Sequence, residues 1–148
     1  MSILPNHILI KSFNFGSTEY YQAKEIRQKY LRTPLGIEFT PEDLNLDRIA
    51  HHIMAYDDNK IVGCVLGIQE NNKVKIKQML VIPDYQEKGI GSLLLNKIER
   101  VFYDLGINHF YLHSRQESLE FYQKNGYIPT GNNFIEVGIL HQRADKFY

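Results

Sequence analysis

The chain is short of the features that mark several protein classes. It has a single cysteine among 148 residues, Cys64, so no internal disulfide can form, which fits a reducing compartment. Neither sign of charge is in excess: 17 Lys and Arg stand against 17 Asp and Glu. No net field draws the chain to nucleic acid or to an anionic membrane, and neither is expected as a partner. No apolar run approaches the roughly 20 residues that a membrane helix needs. The start, Met1-Ser2-Ile3-Leu4-Pro5-Asn6, lacks the basic and apolar blocks of a signal peptide. The six histidines show no zinc-type spacing, and the adjacent His51 and His52 would face opposite sides of a strand, so no metal is expected. No repeat or low-complexity linker divides the chain. The expectation is one cytoplasmic domain over residues 1–148, long enough to bury a core.

What is present is a strand, a glycine turn and an amphipathic helix between Lys73 and Gly106. The turn reads Gln86-Glu87-Lys88-Gly89-Ile90-Gly91 and runs at once into Ser92-Leu93-Leu94-Leu95. The first N–H groups of a helix have no internal partners, and the helix dipole adds positive character there, so such a turn makes an anion site. Two familiar phosphate motifs fail on spacing. A dinucleotide fingerprint needs glycine where Leu94 stands, and no Lys-Ser/Thr pair follows Gly91 as a P-loop requires.

The strand before the turn alternates at first, with Val74, Ile76, Gln78 and Leu80 on one face and Lys73, Lys75 and Lys77 on the other. Then Met79, Leu80, Val81 and Ile82 are all apolar, which predicts either a bulge or burial on both faces. Helix 92–105 carries Leu94, Ile98, Val101, Phe102 and Leu105 on one side and Asn96, Lys97, Glu99 and Arg100 on much of the other.

Around this unit the pattern predicts a strand at Ile8–Phe13 and a helix from about Glu19 to Leu31. A short helix starts at Thr40-Pro41-Glu42-Asp43 and ends near Asn45 and Asp47. A meander of three strands follows, His51–Tyr56, Lys60–Gln69 and Lys73–Ile82. Beyond Gly106 come a strand from Asn108 to His113, a capping box at Ser114-Arg115-Gln116-Glu117 and a short helix with Leu119, Phe121 and Tyr122. Thr130-Gly131-Asn132-Asn133 reads as a turn before a last strand from Phe134 to Ile139, extending toward Gln142. Cys64 lies among apolar residues and reads as a core thiol. The acidic residues of segment 31–50, Glu38, Glu42, Asp43 and Asp47, read as a solvated surface that could otherwise attract a cation.

The motif Gln86-x-x-Gly89-x-Gly91 resembles the acetyl-CoA pyrophosphate loop of the GNAT superfamily of N-acetyltransferases. Met79-Leu80-Val81-Ile82-Pro83 is similar to the segment that precedes it there. Phe121-Tyr122-Gln123-Lys124-Asn125-Gly126-Tyr127 resembles that family's Phe-Tyr-x-x-x-Gly-(Phe/Tyr) stretch, with Ser118 where alanine is usual, and Phe134-Ile135-Glu136-Val137-Gly138-Ile139-Leu140-His141 resembles the tail of its small bacterial members. The resemblance spans nearly the whole chain. It implies an α/β fold, a twisted and mostly antiparallel sheet of six to seven strands flanked by about four helices.

It also implies a ligand and a reaction. Acetyl-CoA would lie against Met79, Leu80 and Val81 through backbone groups, with its pyrophosphate on Gln86, Glu87, Lys88, Gly89, Ile90, Gly91 and Ser92, and with Ser118 and Tyr122 nearby. A primary amine would attack the thioester directly in a ternary complex, Tyr122 acting as the general acid. A phenol stays protonated at neutral pH and can donate, although aromatic residues on helices also serve simply as packing. The carboxylate usual on the strand before the loop is replaced by Lys75, which leaves the base unassigned. His141 and Glu136 are candidates for the base or for amine contacts, against an ordinary solvated hairpin. Lys75 also keeps open a non-catalytic acyl-CoA-binding module or sensor. A homodimer through exposed C-terminal strands is a further expectation.

Overall fold

A computed structural model describes residues 7–148; Met1–Asn6, on which the reading of the N-terminus rests, lie outside the described residues. The chain runs β1 (Ile8–Phe13), α1 (Thr18–Arg27), α2 (Pro41–Ile49), β2 (His51–Asp57), β3 (Lys60–Glu70), β4 (Lys73–Val81), α3 (Ile90–Tyr103), β5 (His109–Arg115), α4 (Leu119–Lys124), β6 (Ile128–Glu136) and β7 (Ile139–Phe147). The strands form one seven-stranded sheet in the order β1-β2-β3-β4-β5-β7-β6. Every neighbouring pair is antiparallel except β4 and β5, which α3 joins as a crossover. This is the mostly antiparallel sheet with four helices that the sequence predicts. Among the described residues no helix is long and apolar enough to cross a membrane.

Local signals explain most boundaries. Ser17 caps α1 by accepting from the Tyr20 N–H. Thr40 and Asp43 form a reciprocal capping box with Pro41 at the first helical position. α3 lies close against β3 because glycines face it. A Cβ on Gly67 would stand 2.9 Å from the Phe102 ring and 3.1 Å from Ile98, so only glycine admits the helix at that distance. Beneath it Ile90, Leu94, Leu95 and Ile98 are fully buried with Val62, Val74 and Phe110.

Several expectations are corrected. Asn45 and Asp47 do not stop α2, because Asp47 is not solvated. Its carboxylate is buried and takes two hydrogen bonds from Arg27, each 3.0 Å, and one of 2.6 Å from the Tyr20 hydroxyl. Glu99 is not on a solvated helix face but completely buried, accepting from Tyr127 and Tyr148 hydroxyls and Lys146 Nζ. Leu105 lies past the end of α3 and is exposed. Ser114 is no helix cap: β5 continues through Arg115, and the Ser114 hydroxyl donates to the Arg115 carbonyl.

The Thr130–Asn133 stretch is a bulge within β6, not a turn. Thr130 pairs with Arg143 and Phe134 with His141, and the Gln142 amide spans the bulge by donating to the carbonyls of Thr130 and Gly131. The true hairpin turn is Val137-Gly138, with φ of +47° and +76°. Two successive positive φ values are the primed turn that suits sheet twist, but a β-branched residue rarely adopts one.

Candidate active site

β4 and β5 hold each other over only three pairs, Val74–Phe110, Lys75–Tyr111 and Ile76–Leu112. Beyond Ile76 the ladder stops because β4 bulges. Lys77 pairs with Leu66 and Leu80 with Cys64, so Gln78 and Met79 face one residue of β3. Gln78 takes φ of +55°, a left-handed conformation unusual for this residue. Its side chain is tied down by Arg27, whose Nε donates to Gln78 Oε1 at 3.2 Å. Of the two readings of the apolar run, the bulge is the one found.

The opening between the strands is a cleft of about 350 Å³. One wall is β4 from Lys75 to Met79; the other is β5 from Leu112 to Arg115, with Glu117, Ser118 and Tyr122. Glu136, Val137 and His141 close one end. Leu31, Arg32, Leu35, Ile37 and Asp43 roof it. The roof follows from an irregular end to α1, a π-helical turn over Gln28–Arg32 and a 3-10 turn over Thr33–Leu35. Arg32 donates to Asp43 at 3.3 Å and lies 5.0 Å over the Phe39 ring.

Below the cleft, 3-10 turn Pro83–Tyr85 leads to the glycine loop. The loop is pinned at two points: Gln86 Nε2 donates to the Val81 carbonyl at 2.8 Å, and the Tyr85 hydroxyl donates to Asp57. Gln86 is thus spent on holding the loop to the end of β4. Glu87 and Gly89 take φ of +62° and +86°. Gly89 caps α3 without any side-chain hydrogen bond, so the N–H groups of the first helical turn keep their donors unused by a cap. Gly91 has a different reason: a Cβ there would meet the Phe121 ring at 3.0 Å and Met79 Cε at 3.3 Å. That contact ties the start of α3 to both walls of the cleft.

Tyr122, Ser118 and Met79 line the cleft, as do Glu136 and His141. Tyr122 is buried, and burial pushes its phenol above the ordinary value of 10. Among the described residues none hydrogen-bonds to its hydroxyl, whereas the neighbouring Tyr127 hydroxyl is committed to Glu99 at 2.6 Å. Leu80 is buried, and Leu80, Val81 and the loop Gln86–Ser92 lie outside the cleft lining.

The two candidate base groups line the cleft but are held by different partners. Glu136 does not meet His141; it accepts a 2.9 Å hydrogen bond from Nδ1 of His113. His141 Nδ1 donates instead to the Ile139 carbonyl at 2.8 Å. In both histidines an oxygen acceptor fixes a proton on Nδ1, and Nε2 makes no hydrogen bond among the described residues. Burial and the charge of Lys75 push the His113 pKa down from 6.5 against the opposing pull of Glu136, so it is neutral near pH 7. His113 escaped the sequence reading because the resemblance carries nothing at that position. The one signal was its place on β5, two residues after Tyr111 on the face that alternation gives to polar groups.

His51 and His52 face opposite sides, to Ser12 and to the Asp47 carbonyl respectively. Cys64 is buried and its thiol is pushed up to about 12 by burial, which leaves it without thiolate character.

A sequence model described as an acetyltransferase (GNAT) domain matches residues 23–146. A spermidine N(1)-acetyltransferase of Thermoplasma acidophilum is 32% identical over 125 residues, covering 80% of this chain and 76% of that protein. Among solved structures, an acyl-CoA N-acyltransferase from Pseudomonas aeruginosa superposes with a TM-score of 0.81 at 17% identity, over 94% of this chain and 99% of that one. A GNAT family acetyltransferase from Elizabethkingia anophelis with acetyl-CoA bound gives a TM-score of 0.73 at 17% identity, over 97% of this chain and all of that one.

Proposed function

Because the chain belongs to the GNAT acetyltransferase family, we propose that it moves the acetyl group of acetyl-CoA to a primary amine by direct attack within the cleft between β4 and β5. The observation that carries this reading is the hydroxyl of the largely buried Tyr122, which has no hydrogen-bond partner among the described residues, in the same cleft as a histidine whose Nε2 makes no hydrogen bond among them. The pantetheine arm takes backbone groups of the bulged strand along Met79, Leu80 and Val81 on the side where pairing with β5 has ended; toward β3, Leu80 and Val81 stay paired with Cys64 and Gly63. The pyrophosphate takes the N–H groups at the start of α3, where Gly89 leaves the approach open.

The proton bookkeeping then follows. A substrate ammonium has an ordinary pKa near 10 and must lose a proton before its nitrogen can attack. That first proton goes to solvent; as the nitrogen acylates its remaining N–H becomes acidic, His113 takes that proton on Nε2, and Glu136 stabilises the resulting imidazolium through Nδ1. The amine nitrogen bonds to the thioester carbon and the C–S bond breaks. A thiol has a pKa of about 8.5 and a buried phenol lies above 10, so full proton transfer from Tyr122 to the thiolate is uphill. Tyr122 therefore acts chiefly by donating a hydrogen bond to the sulfur as its charge develops. Holding both reactants in one cleft supplies much of the acceleration.

Tyr122→Phe tests the assignment. We expect kcat to fall by about 10²-fold with acetyl-CoA affinity, read by calorimetry, little changed. An unchanged kcat would remove Tyr122 from the chemistry. The alternative of a non-catalytic acyl-CoA-binding module draws on Lys75, which lines the cleft at the position usual for a carboxylate. Under that alternative acetyl-CoA binds but no amine releases thiol.

A further inference from the structure

We propose that the acceptor is a small amine that also carries an anionic group, held by Lys75 and Lys77 on the β4 wall and Arg115 on the β5 wall. This rests on the acetyl-transfer reading and deepens it by naming the acceptor class.

The argument starts from which cleft charges are already committed. Four cationic side chains line the cleft, Arg32, Lys75, Lys77 and Arg115, together with three carboxylates, Asp43, Glu117 and Glu136. Asp43 is engaged twice, by Arg32 and by the Thr40 N–H. Glu136 is engaged by His113. Among the described residues, only Arg32 of these cations has an ion-pair partner within 4.0 Å. Lys75 does no more than approach the Tyr111 ring at 5.9 Å, and Lys77 and Arg115 have no ion pair among the described residues. An incoming acceptor therefore meets three cations without an ion pair among the described residues against two carboxylates without a cationic partner, Glu117 and Glu136, since a neutral His113 leaves the Glu136 charge in place.

Position strengthens the count. Lys75 and Lys77 lie two residues apart on one strand, so both side chains project from the same face of β4, toward the roof formed by Leu31, Arg32 and Asp43. That is the end of the cleft away from the glycine loop, so the anionic phosphates of acetyl-CoA do not explain them. Burial, and then the charge of Lys75, push the Lys77 pKa down from 10.5. Asp43 and Glu136 pull it back only in part, so the pair is a site of partly compensated positive charge that an anion relieves. A polyamine would bring further cations to the same place and be disfavoured. The cleft is also small, about 350 Å³ for the acetyl end and the acceptor together. Short aminocarboxylates and aminophosphates fit these terms.

Three acceptors of matched length make the test: 4-aminobutyrate, butylamine and 1,4-diaminobutane, whose tails are anionic, neutral and cationic. Thiol release from acetyl-CoA is followed for each, with β-alanine and phosphoethanolamine added to sort carboxylate from phosphate. We expect kcat/KM for the anionic acceptor to exceed that for the diamine by ~10-fold or more. Lys75→Glu and Lys77→Glu should each reduce or invert that ratio, with acetyl-CoA affinity unchanged by calorimetry. Lys77→Gln, which adds no charge, supplies the same reading in smaller measure should the reversals fold poorly. Equal or better use of the diamine, or ratios indifferent to the lysine variants, would overturn the acceptor class and leave acetyl transfer standing. Turnover of none of the five amines with acetyl-CoA still bound would overturn the acceptor class. Failure to bind acetyl-CoA would overturn the transfer reading itself.

Discussion

Arg27→Met is the perturbation that tests how the cleft is held open. Arg27 and Asp47 pair with side-chain exposures of 3% each, so both charges are out of water. The geometry is bidentate at 3.0 Å, and the same guanidinium reaches Gln78 at the bulge. Removing one partner of a buried pair strands the other charge, at a cost of roughly 3–5 kcal/mol. Tyr20 can still donate to Asp47, which argues for the lower part of that range. For a chain of this size each kcal/mol shifts Tm by about 2–4 °C, so a cost of about 3–4 kcal/mol gives an expected fall of roughly 6–16 °C by calorimetric melting. Replacing both charges, as Arg27→Met with Asp47→Leu, should recover most of the loss, since no stranded charge remains. The functional consequence is separate. Without Arg27 the strained Gln78 loses its tether, and acetyl-CoA affinity should weaken even in the double variant at temperatures where it is folded. A single variant that melts within about 2 °C of the parent would refute the burial argument. A double variant with full acetyl-CoA affinity would refute the link from the buried pair to the bulge.

Two further predictions concern pH and the glycine loop. His51, His52 and His113 all have folded pKa values lowered from 6.5, in each case first by burial. As pH falls, the unfolded chain takes up these protons before the folded one, so stability is held above pH 6.5 and declines as pH drops below it. Urea midpoints at pH 7.5 and 5.5 should differ in that direction, and His52→Gln should flatten the slope; a higher midpoint at pH 5.5 would contradict the assignment. Gly89→Ala places a methyl in open space but in a left-handed conformation that costs roughly 1–2 kcal/mol. The protein should fold, with Tm lower by about 2–8 °C, and should bind acetyl-CoA ~10-fold or more weakly if the loop approaches the pyrophosphate closely. Unchanged affinity would move the pyrophosphate elsewhere.

The sheet and helices were legible because period and capping carried them: the meander from His51 to Val81, the Thr40 capping box and the helix after Gly89 are local patterns. The misread positions share a different origin. Asp47 and Glu99 are charges whose burial depends on partners 20 or more residues away, Arg27 in one case and Tyr127, Lys146 and Tyr148 in the other. Polar residues on a helix give no sign of such partners. The β6 bulge was misplaced because Gly131-Asn132-Asn133 has the composition of a turn, while the actual turn contains Val137. Strand pairing overrode local preference at both places.

The same division runs through the cleft, between the stretches proposed for the cofactor and those proposed for the acceptor. The loop, the bulge and Tyr122, proposed for the cofactor, each lie within a short stretch of sequence. The acceptor end is assembled from five separate segments: the π-helical turn with Arg32, the α2 cap with Asp43, β4 with Lys75 and Lys77, β5 with His113 and Arg115, and the β6–β7 hairpin with Glu136 and His141. No spacing rule connects them. Only pairing of β5 with β7, His113 opposite Arg143 and Arg115 opposite His141, together with the hairpin register that sets Glu136 opposite Ile139, brings Glu136 within reach of His113. A one-residue slip in either register would send Glu136 or His113 to the opposite face. The position of Glu136 therefore depends on the Val137-Gly138 turn as much as on the residues that line the cleft, because that turn sets the register that places Glu136 opposite Ile139.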